Sequence, residues 1–394
     1  MKLQILACFL IGLSVAFVGC NKEGGGGSSS SSGNSSGDIK IGHVASLTGD
    51  TATFGVSADE GIRLALDEIN KAGGVMGKQV QVITEDDRSL NDEAKSACSK
   101  LITRDGVVAI LGEIASSRSI AIAPTCEENK IPMLSPGSTN PKVTENYKYI
   151  FRNCFIDPFQ GTAMASFAMD PKPKGLGLKR FAVLYPVNSD YGVGLKDFFI
   201  AAVKKRGGEI TVESAYTEKS DVDFKGQLTK IKASNPEAIF VSGYYTEAGL
   251  IANQARQLGI TVPLLGGDGW DSDQTIAIGK QAIEGCYFTN HYSPDEDRPE
   301  VKKFVSDYKA KFNNKTPDAM AILAYDAMKI MCDAITRAGG TDGTKIADAL
   351  AATKDFPGAS GITTIDQQHN AKKSVVILKI ENGKFNYAGT VKPE

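Results

Sequence analysis

Histidine is scarce in this sequence: His43, His291 and His369 are three in a chain of 394. None stands with a serine in a G-x-S-x-G elbow or with a cysteine in a recognisable nucleophile motif, so nucleophilic catalysis lacks its base. Charge of one sign is lacking too. Lysine and arginine number 44 against 46 aspartates and glutamates, a net charge of −2. That leaves no basic footprint for nucleic acid and no polybasic membrane patch. No G-x-G-x-x-G follows an apolar strand, which removes the dinucleotide fingerprint. "GGVMGK" (Gly73 to Lys78) mimics a phosphate loop, but its glycines are too close and Gln79 replaces the magnesium-binding Ser/Thr, so it reads as a turn. The carboxylates of "GDGWDSD" (Asp268, Asp271, Asp273) are spaced three then two, without the distant glutamate of a calcium loop. Nothing in the cysteine spacing suggests zinc. These absences imply no enzyme, no cofactor and no metal.

What is present begins with an export signal. Met1-Lys2 opens a short positive region, Leu3 to Val18 is an apolar run, and Gly19-Cys20 ends it with a small residue before cysteine. The run is short for a membrane span, and no later segment approaches the ~20 apolar residues needed. "AFVGC" resembles a bacterial lipobox, with Phe17 where leucine is usual; this implies residues 1–19 as signal peptide and lipidation at Cys20. The alternative is a plain signal peptide cut elsewhere, with Cys20 incidental. Residues 20–37, carrying "GGGGSSSSSGNSSG", read as a flexible tether with a reach of about 5–6 Å times the square root of its length. Together they imply a body held at the outer face of the cell membrane, or in the periplasm, by a lipid anchor alone. Past Cys8 and Cys20, five cysteines remain (Cys98, Cys126, Cys154, Cys286, Cys332). An odd number in an oxidising compartment leaves at least one unpaired. Cys98 and Cys126 lie on neighbouring expected helices and either bridge or stay buried thiols.

From Asp38 onward, apolar strands and amphipathic helices alternate. "IKIGHVASLTGD" is a strand and turn; "GVSADEGIRLALDEINKAGG" carries Ile62, Leu66 and Ile69 at helical spacing and closes on glycines. "KQVQVITEDD", "VVAILGE", "IPMLSPG", "RFAVLYP", "EITVESAYT", "EAIFVSGYY" and "VPLLGG" follow as strands with helices between. This predicts α/β architecture with parallel sheets and a ligand crevice beyond the strands' carboxyl ends. The length suggests two domains. "DPKPKGLG", before Lys179, reads as a hinge or connection between two similar lobes. "RPEVKKFVSDYKAKF…ITRAGG" predicts two helices, and "GITTID" with "KSVVILKIENGKFNYAG" a short strand finish through which the chain completes both lobes.

Several strands end in small hydroxylated or aromatic residues. Ser116 and Ser117 follow one strand, and a serine there usually caps the next helix, which predicts a cap from one of the two. A helix N-terminus with free N–H groups is also a carboxylate site. Ser138, Thr139 and Asn140 follow another strand, Tyr191 and Tyr244 sit in equivalent loops further on, and Asp268 lies between glycines after "VPLLGG".

These segments, in this order, resemble the Leu/Ile/Val-type amino-acid-binding proteins of ABC transporters. The resemblance rests on "IGHVASLTGDTATFG", "GIRLALDEINKAGGVMGK", "LGEIASSRS", "PMLSPGSTNPKVTE", "FRNCFIDPFQG", "SDYGVGL", "FVSGYYTEAGLIANQARQLG" and "GGDGWD", and covers nearly all of Asp38 to Val391. It implies a type I periplasmic-binding fold: two doubly wound Rossmann-like lobes joined by a three-segment hinge, with the ligand cleft between them. Crossovers are expected near Asp157, Asn290 and Asn370, giving lobe 1 as 38–157 plus 291–370 and lobe 2 as 158–290 plus 371–394. The resemblance places the ligand α-carboxylate on Ser116 and Thr139, and its ammonium on the Gly137 carbonyl and Asp268. It gives Tyr191 and Tyr244 as second-lobe contacts, Phe54 an apolar position, and Met320 the place of an aromatic wall. Asp268 is one methylene shorter than the family's usual glutamate and Phe54 smaller than its tryptophan. Trp270 either walls the pocket or packs beneath it. The expected function is capture of an apolar α-amino acid, branched-chain ones foremost, by cleft closure and delivery to permease subunits of an importer, by a monomer. An amide, a urea-like solute or an aromatic acid is the alternative ligand, and sensing the alternative use.

Overall fold

A computed structural model of the protein describes residues 37–392. The signal segment, Cys20 and nearly all of the tether lie outside the described residues. The body opens on β1 (Ile39–Ala45), buried at every position but Lys40, as expected of a strand covered on both faces. Then come α1 (Ala52–Lys71), β2 (Val80–Asp86), α2 (Asn91–Thr103), β3 (Ala109–Leu111), α3 (Ser116–Glu128), β4 (Met133–Ser135) and β5 (Ile150–Arg152). Their strands form one parallel sheet in the order β2-β1-β3-β4-β5. The order reverses between β1 and β3, so the loops leaving those strands part and open a crevice at the carboxyl edge.

The chain then passes to a second layer built of α4 (Asp157–Met169), β6 (Arg180–Pro186), α5 (Asp190–Lys205), β7 (Glu209–Tyr216), α6 (Lys225–Ala233), β8 (Ala238–Val241), α7 (Tyr245–Gln257), β9 (Leu264–Gly266), α8 (Asp273–Gly279) and β10 (Tyr287–Asn290). It returns to the first layer through α9 (Pro299–Lys311), α10 (Ala319–Ala338) and α11 (Gly343–Ala351). A short hairpin, β11 (Phe356–Gly358) with β12 (Gly361–Thr363), precedes β13 (Val375–Glu381) and β14 (Lys384–Val391). The second sheet runs β14-β13-β10-β9-β8-β6-β7, with an antiparallel β13–β14 edge on an otherwise parallel core. Each sheet with its helices is one lobe of a two-lobed α/β fold.

The longest buried helix shows how sequence sets position. Asp318 caps α10 by accepting the Ala321 N–H (3.0 Å), and Gly339, at φ 66°, ends it in the left-handed conformation. Between them almost every residue from Ala319 to Ile335 is buried, because α10 lies against α1 as well as the sheet.

Two expectations are corrected. "DPKPKGLG" is not a hinge: it links α4 to β6 inside the second lobe, because α4 packs on α5 rather than on the first sheet. The strand finish does serve both lobes: the β11–β12 hairpin bonds to the first, through the Ala359 and Ser360 N–H groups on Asp326 of α10 and Thr363 on Asn153, while β13 and β14 extend the second sheet. Neither serine caps α3, whose N-cap is Ala115 without a side-chain bond. Trp270 packs beneath the cleft: it is wholly buried in the second lobe's core near Phe288. The five described cysteines are all buried and unbonded, with the Cys98 and Cys126 sulfurs 3.5 Å apart. Among the described residues no helix is long and apolar enough to cross a membrane.

Candidate functional site

The two sheets present their carboxyl ends to each other, and that geometry gathers loops far apart in sequence. Ser116 follows β3 in the first turn of α3; Gly137 and Thr139 follow β4. From the facing lobe, Tyr191 follows β6 in the first turn of α5, Tyr244 follows β8 as the N-cap of α7, and Asp268 follows β9. The first turns of α1 and α10 add Phe54 and Met320. All eight line one cavity, together with Ile114 and Gly269. The space left between them is ≈ 10 Å³, enough for a single water.

Aromatic packing and a few polar bonds shut this cavity. Tyr191 stacks on Tyr244 with centroids 5.2 Å apart, and Phe54 reaches across from the first lobe to meet Tyr244 edge-on at 5.8 Å. Tyr191 Oη accepts the Gly269 N–H at 3.1 Å. Burial pushes both phenols well above their usual range, so they stay protonated and can donate. Just outside the cavity the lobes are tied directly. Ser117 Oγ accepts the Asp190 N–H (2.9 Å), Asn140 Nδ2 donates to the Asp190 carbonyl (2.7 Å), and Ser272 Oγ donates to Thr53 Oγ1 (3.1 Å). Ser116 Oγ accepts the Asn140 N–H at 3.2 Å, linking two loops of the first lobe.

Asp268 is the one carboxylate on the cavity wall and it is 3 % exposed. Gln160 Nε2 donates to its Oδ1 at 2.7 Å, and His291 Nε2 lies 2.9 Å from its Oδ2. Burial lowers the His291 pKa, with the Asp268 bond opposing it; the neutral ring therefore donates from Nε2. Asp157, in the first turn of α4, is fully buried with neither carboxylate oxygen hydrogen-bonded. Burial first, and Asp268 second, push its carboxyl well above the usual range, so it is held in the neutral form. One carboxylate, the hydroxyl-bearing Ser116 and Thr139, and aromatic walls thus line the same cavity.

Sequence reasoning placed the cavity-lining residues but missed Gln160, His291 and Asp157. Gln160 and Asp157 lie within "FRNCFIDPFQG", read as a landmark and as the first crossover but not as part of the site; His291 follows β10, a strand the apolar pattern did not single out. The signal available was topological. The residue ending the strand beside β9 must reach the loop that carries Asp268.

A family model described as "Periplasmic binding protein" matches residues 38–384. The Leu/Ile/Val-binding protein homolog 3 of Brucella melitensis is 32% identical over 88% of this chain and 93% of its own. Among solved structures, the leucine-binding protein LivK of Thermotoga maritima is 44% identical with a TM-score of 0.85, covering 90% of this chain and 99% of that one. The branched-chain amino acid transporter substrate-binding protein LivJ of Streptococcus pneumoniae, in complex with isoleucine, is 34% identical with the same TM-score, covering 91% and 100%. A solute-binding protein of Rhodopseudomonas palustris in complex with 3,4-dihydroxybenzoic acid is 26% identical, TM-score 0.80, over 90% and 97%. The two-lobed fold, the shut cleft between sheet edges and these likenesses have one reading: the chain belongs to the periplasmic binding protein family, among the substrate-binding proteins of branched-chain amino acid ABC transporters, and is not an enzyme.

Proposed function

We propose that the cleft captures an α-amino acid with an apolar side chain and presents it, closed, to the permease subunits of an ABC importer. The observation that carries this reading is the convergence of Ser116, Gly137, Thr139 and Asp268 on one cavity walled by Phe54, Tyr191, Tyr244 and Met320. Ser116 and Thr139 hydroxyls take the ligand carboxylate; the Gly137 carbonyl and Asp268 take its ammonium. The side chain meets apolar walls, where each methylene is worth only about 0.8 kcal/mol, so several aliphatic amino acids are accepted. Since ≈ 10 Å³ holds no amino acid, capture requires the lobes to part and re-close, and a ligand that bridges both favours the closed form. The moving bodies are 38–157 with 291–370, and 158–290 with 371–394. The protein acts as a monomer, exported and tethered by a lipid on Cys20.

The Rhodopseudomonas neighbour's ligand favours a second reading, an aromatic acid; a benzoate on Ser116 and Thr139 would leave the Asp268 charge without an ammonium to match it. A thermal-shift panel decides. Leucine, isoleucine and valine are expected to raise the melting temperature of protein stripped of co-purified ligand, through preferential binding to the folded state. Shifts with benzoates alone would replace the amino-acid reading.

A further inference from the structure

The two groups that hold Asp268 come from the places where the chain changes lobe. Gln160 stands in the first turn of α4, directly after the passage from β5. His291 stands directly after β10, where the chain turns back toward α9. His291 is buried, stacks on Phe155 with centroids 3.8 Å apart, and its Nδ1 has no hydrogen-bond partner. The ring's sole polar bond among the described residues is the one to Asp268.

Resting on the amino-acid reading above, we propose that His291 is a positioning residue for capture: its Nε2–H fixes the Asp268 carboxylate toward the cleft, and its protonation competes with the ligand ammonium for that carboxylate. The chemistry follows from the donor set. A neutral imidazole donating from Nε2 leaves Asp268 its full charge and unused lone pairs for an ammonium. A protonated imidazole turns the same contact into a buried ion pair, so an arriving ammonium meets a carboxylate already matched by a cation. Conversely, an ammonium seated on Asp268 disfavours the imidazolium by like-charge repulsion. Binding on the acid side therefore expels a proton, and affinity falls as pH falls through the histidine's depressed pKa.

The other charged or titratable groups around the pair do not supply this dependence. Asp157 on α4 is held neutral by burial, Tyr191 on α5 keeps its phenol proton, and burial raises the Cys154 thiol, beyond β5, to about 12. Burial lowers the Arg152 pKa, on β5, but a guanidinium keeps its proton at and below neutral pH. Lys373, before β13, is lowered by burial to about 8 and is charged at every acid pH.

The test is leucine affinity of the full chain by calorimetry, from pH 4.5 to 7.5 in buffers of differing ionisation enthalpy. In the natural protein the Kd is expected to rise at least about threefold toward the acid end, with proton release. His291→Gln keeps a donor but cannot be protonated; it should stay within about threefold at pH 7.5 and lose both the acid-side rise and the proton release. His291→Phe keeps the stack and removes the donor, and should weaken leucine about tenfold or more at pH 7.5. Superimposable pH profiles for the natural protein and His291→Gln would overturn the proposal, as would a His291→Phe protein binding normally. If His291→Phe does not fold, the His291→Gln profile decides alone. A natural protein that binds no amino acid at any pH would sink the functional reading itself, a different outcome from leucine binding indifferent to residue 291.

Discussion

At the scale of single residues, the site turns on a carboxylate held by neutral donors. Asp268 accepts from Gln160 and His291, so its charge is stabilised without being cancelled, and an ammonium can still add to it. Asp268→Asn keeps the shape and removes the charge. It is expected to weaken amino-acid binding by at least about tenfold, roughly 1.4 kcal/mol, in titration against leucine; unchanged affinity would remove Asp268 from the ammonium site. Ser116, Thr139, Tyr191, Tyr244 and Asp268 were legible because each follows an apolar strand; Gly137, Phe54 and Met320 came from the family resemblance alone. His291 and Gln160 were not, because they approach the acid from behind, 23 and 108 residues away in sequence. No local pattern encodes that approach; it depends on which strands become neighbours.

Among the elements, strands covered on both faces and long amphipathic helices were readable from periodicity, and the structure has them where the apolar pattern put them. β5 and β10 were not. β3, β4 and β9 are as short, but glycine or proline directly after them marks their ends, whereas "IFRNCF" and "YFTNHY" run on without such a mark; the first lobe's closure by α9 to α11 follows from crossover topology rather than from any segment's own pattern. The packing of α1 on α10 shows what such topology demands. Gly61 lies mid-helix with ordinary helical backbone, yet a Cβ there would overlap the Ala321 carbonyl oxygen of α10. Alanine is the better helix former by up to ~1 kcal/mol, so propensity alone predicts that Gly61→Ala stabilises. The contact predicts the reverse. Overpacking of a tight core costs about 1–3 kcal/mol, and urea unfolding of Gly61→Ala should give a lower midpoint at unchanged slope. A higher midpoint would mean that the two helices yield at little cost.

For the whole molecule, stability depends on charges that the two lobes bring together. Asp271, after β9 in the second lobe, accepts the Ala319 N–H of α10 in the first at 2.7 Å, and Asp318, which caps that helix, accepts from Ser57 at 2.6 Å. Asp271 is buried and Asp318 half-buried. Burial, reinforced by Asp318, raises the Asp271 pKa to about 7, and burial raises that of Asp318. Their usual value, near 3.8, applies to the unfolded chain. A carboxyl whose folded pKa lies above its unfolded one makes the folded state the better proton binder between the two. Its contribution is complete below about pH 4 and is lost as pH rises through about 7. The folded, closed protein is therefore most stabilised by this pair in mild acid and less so toward pH 8, where two carboxylates must ionise beside each other; Lys315 opposes the shift at Asp318 but is shared with Glu60 at 2.7 Å. Asp271→Asn retains an oxygen for the Ala319 N–H and removes the ionisation. Between pH 5 and 8 its melting temperature should fall less steeply than that of the natural protein, with the curves furthest apart at the alkaline end. Parallel curves would show that the pair does not set how firmly the lobes hold together.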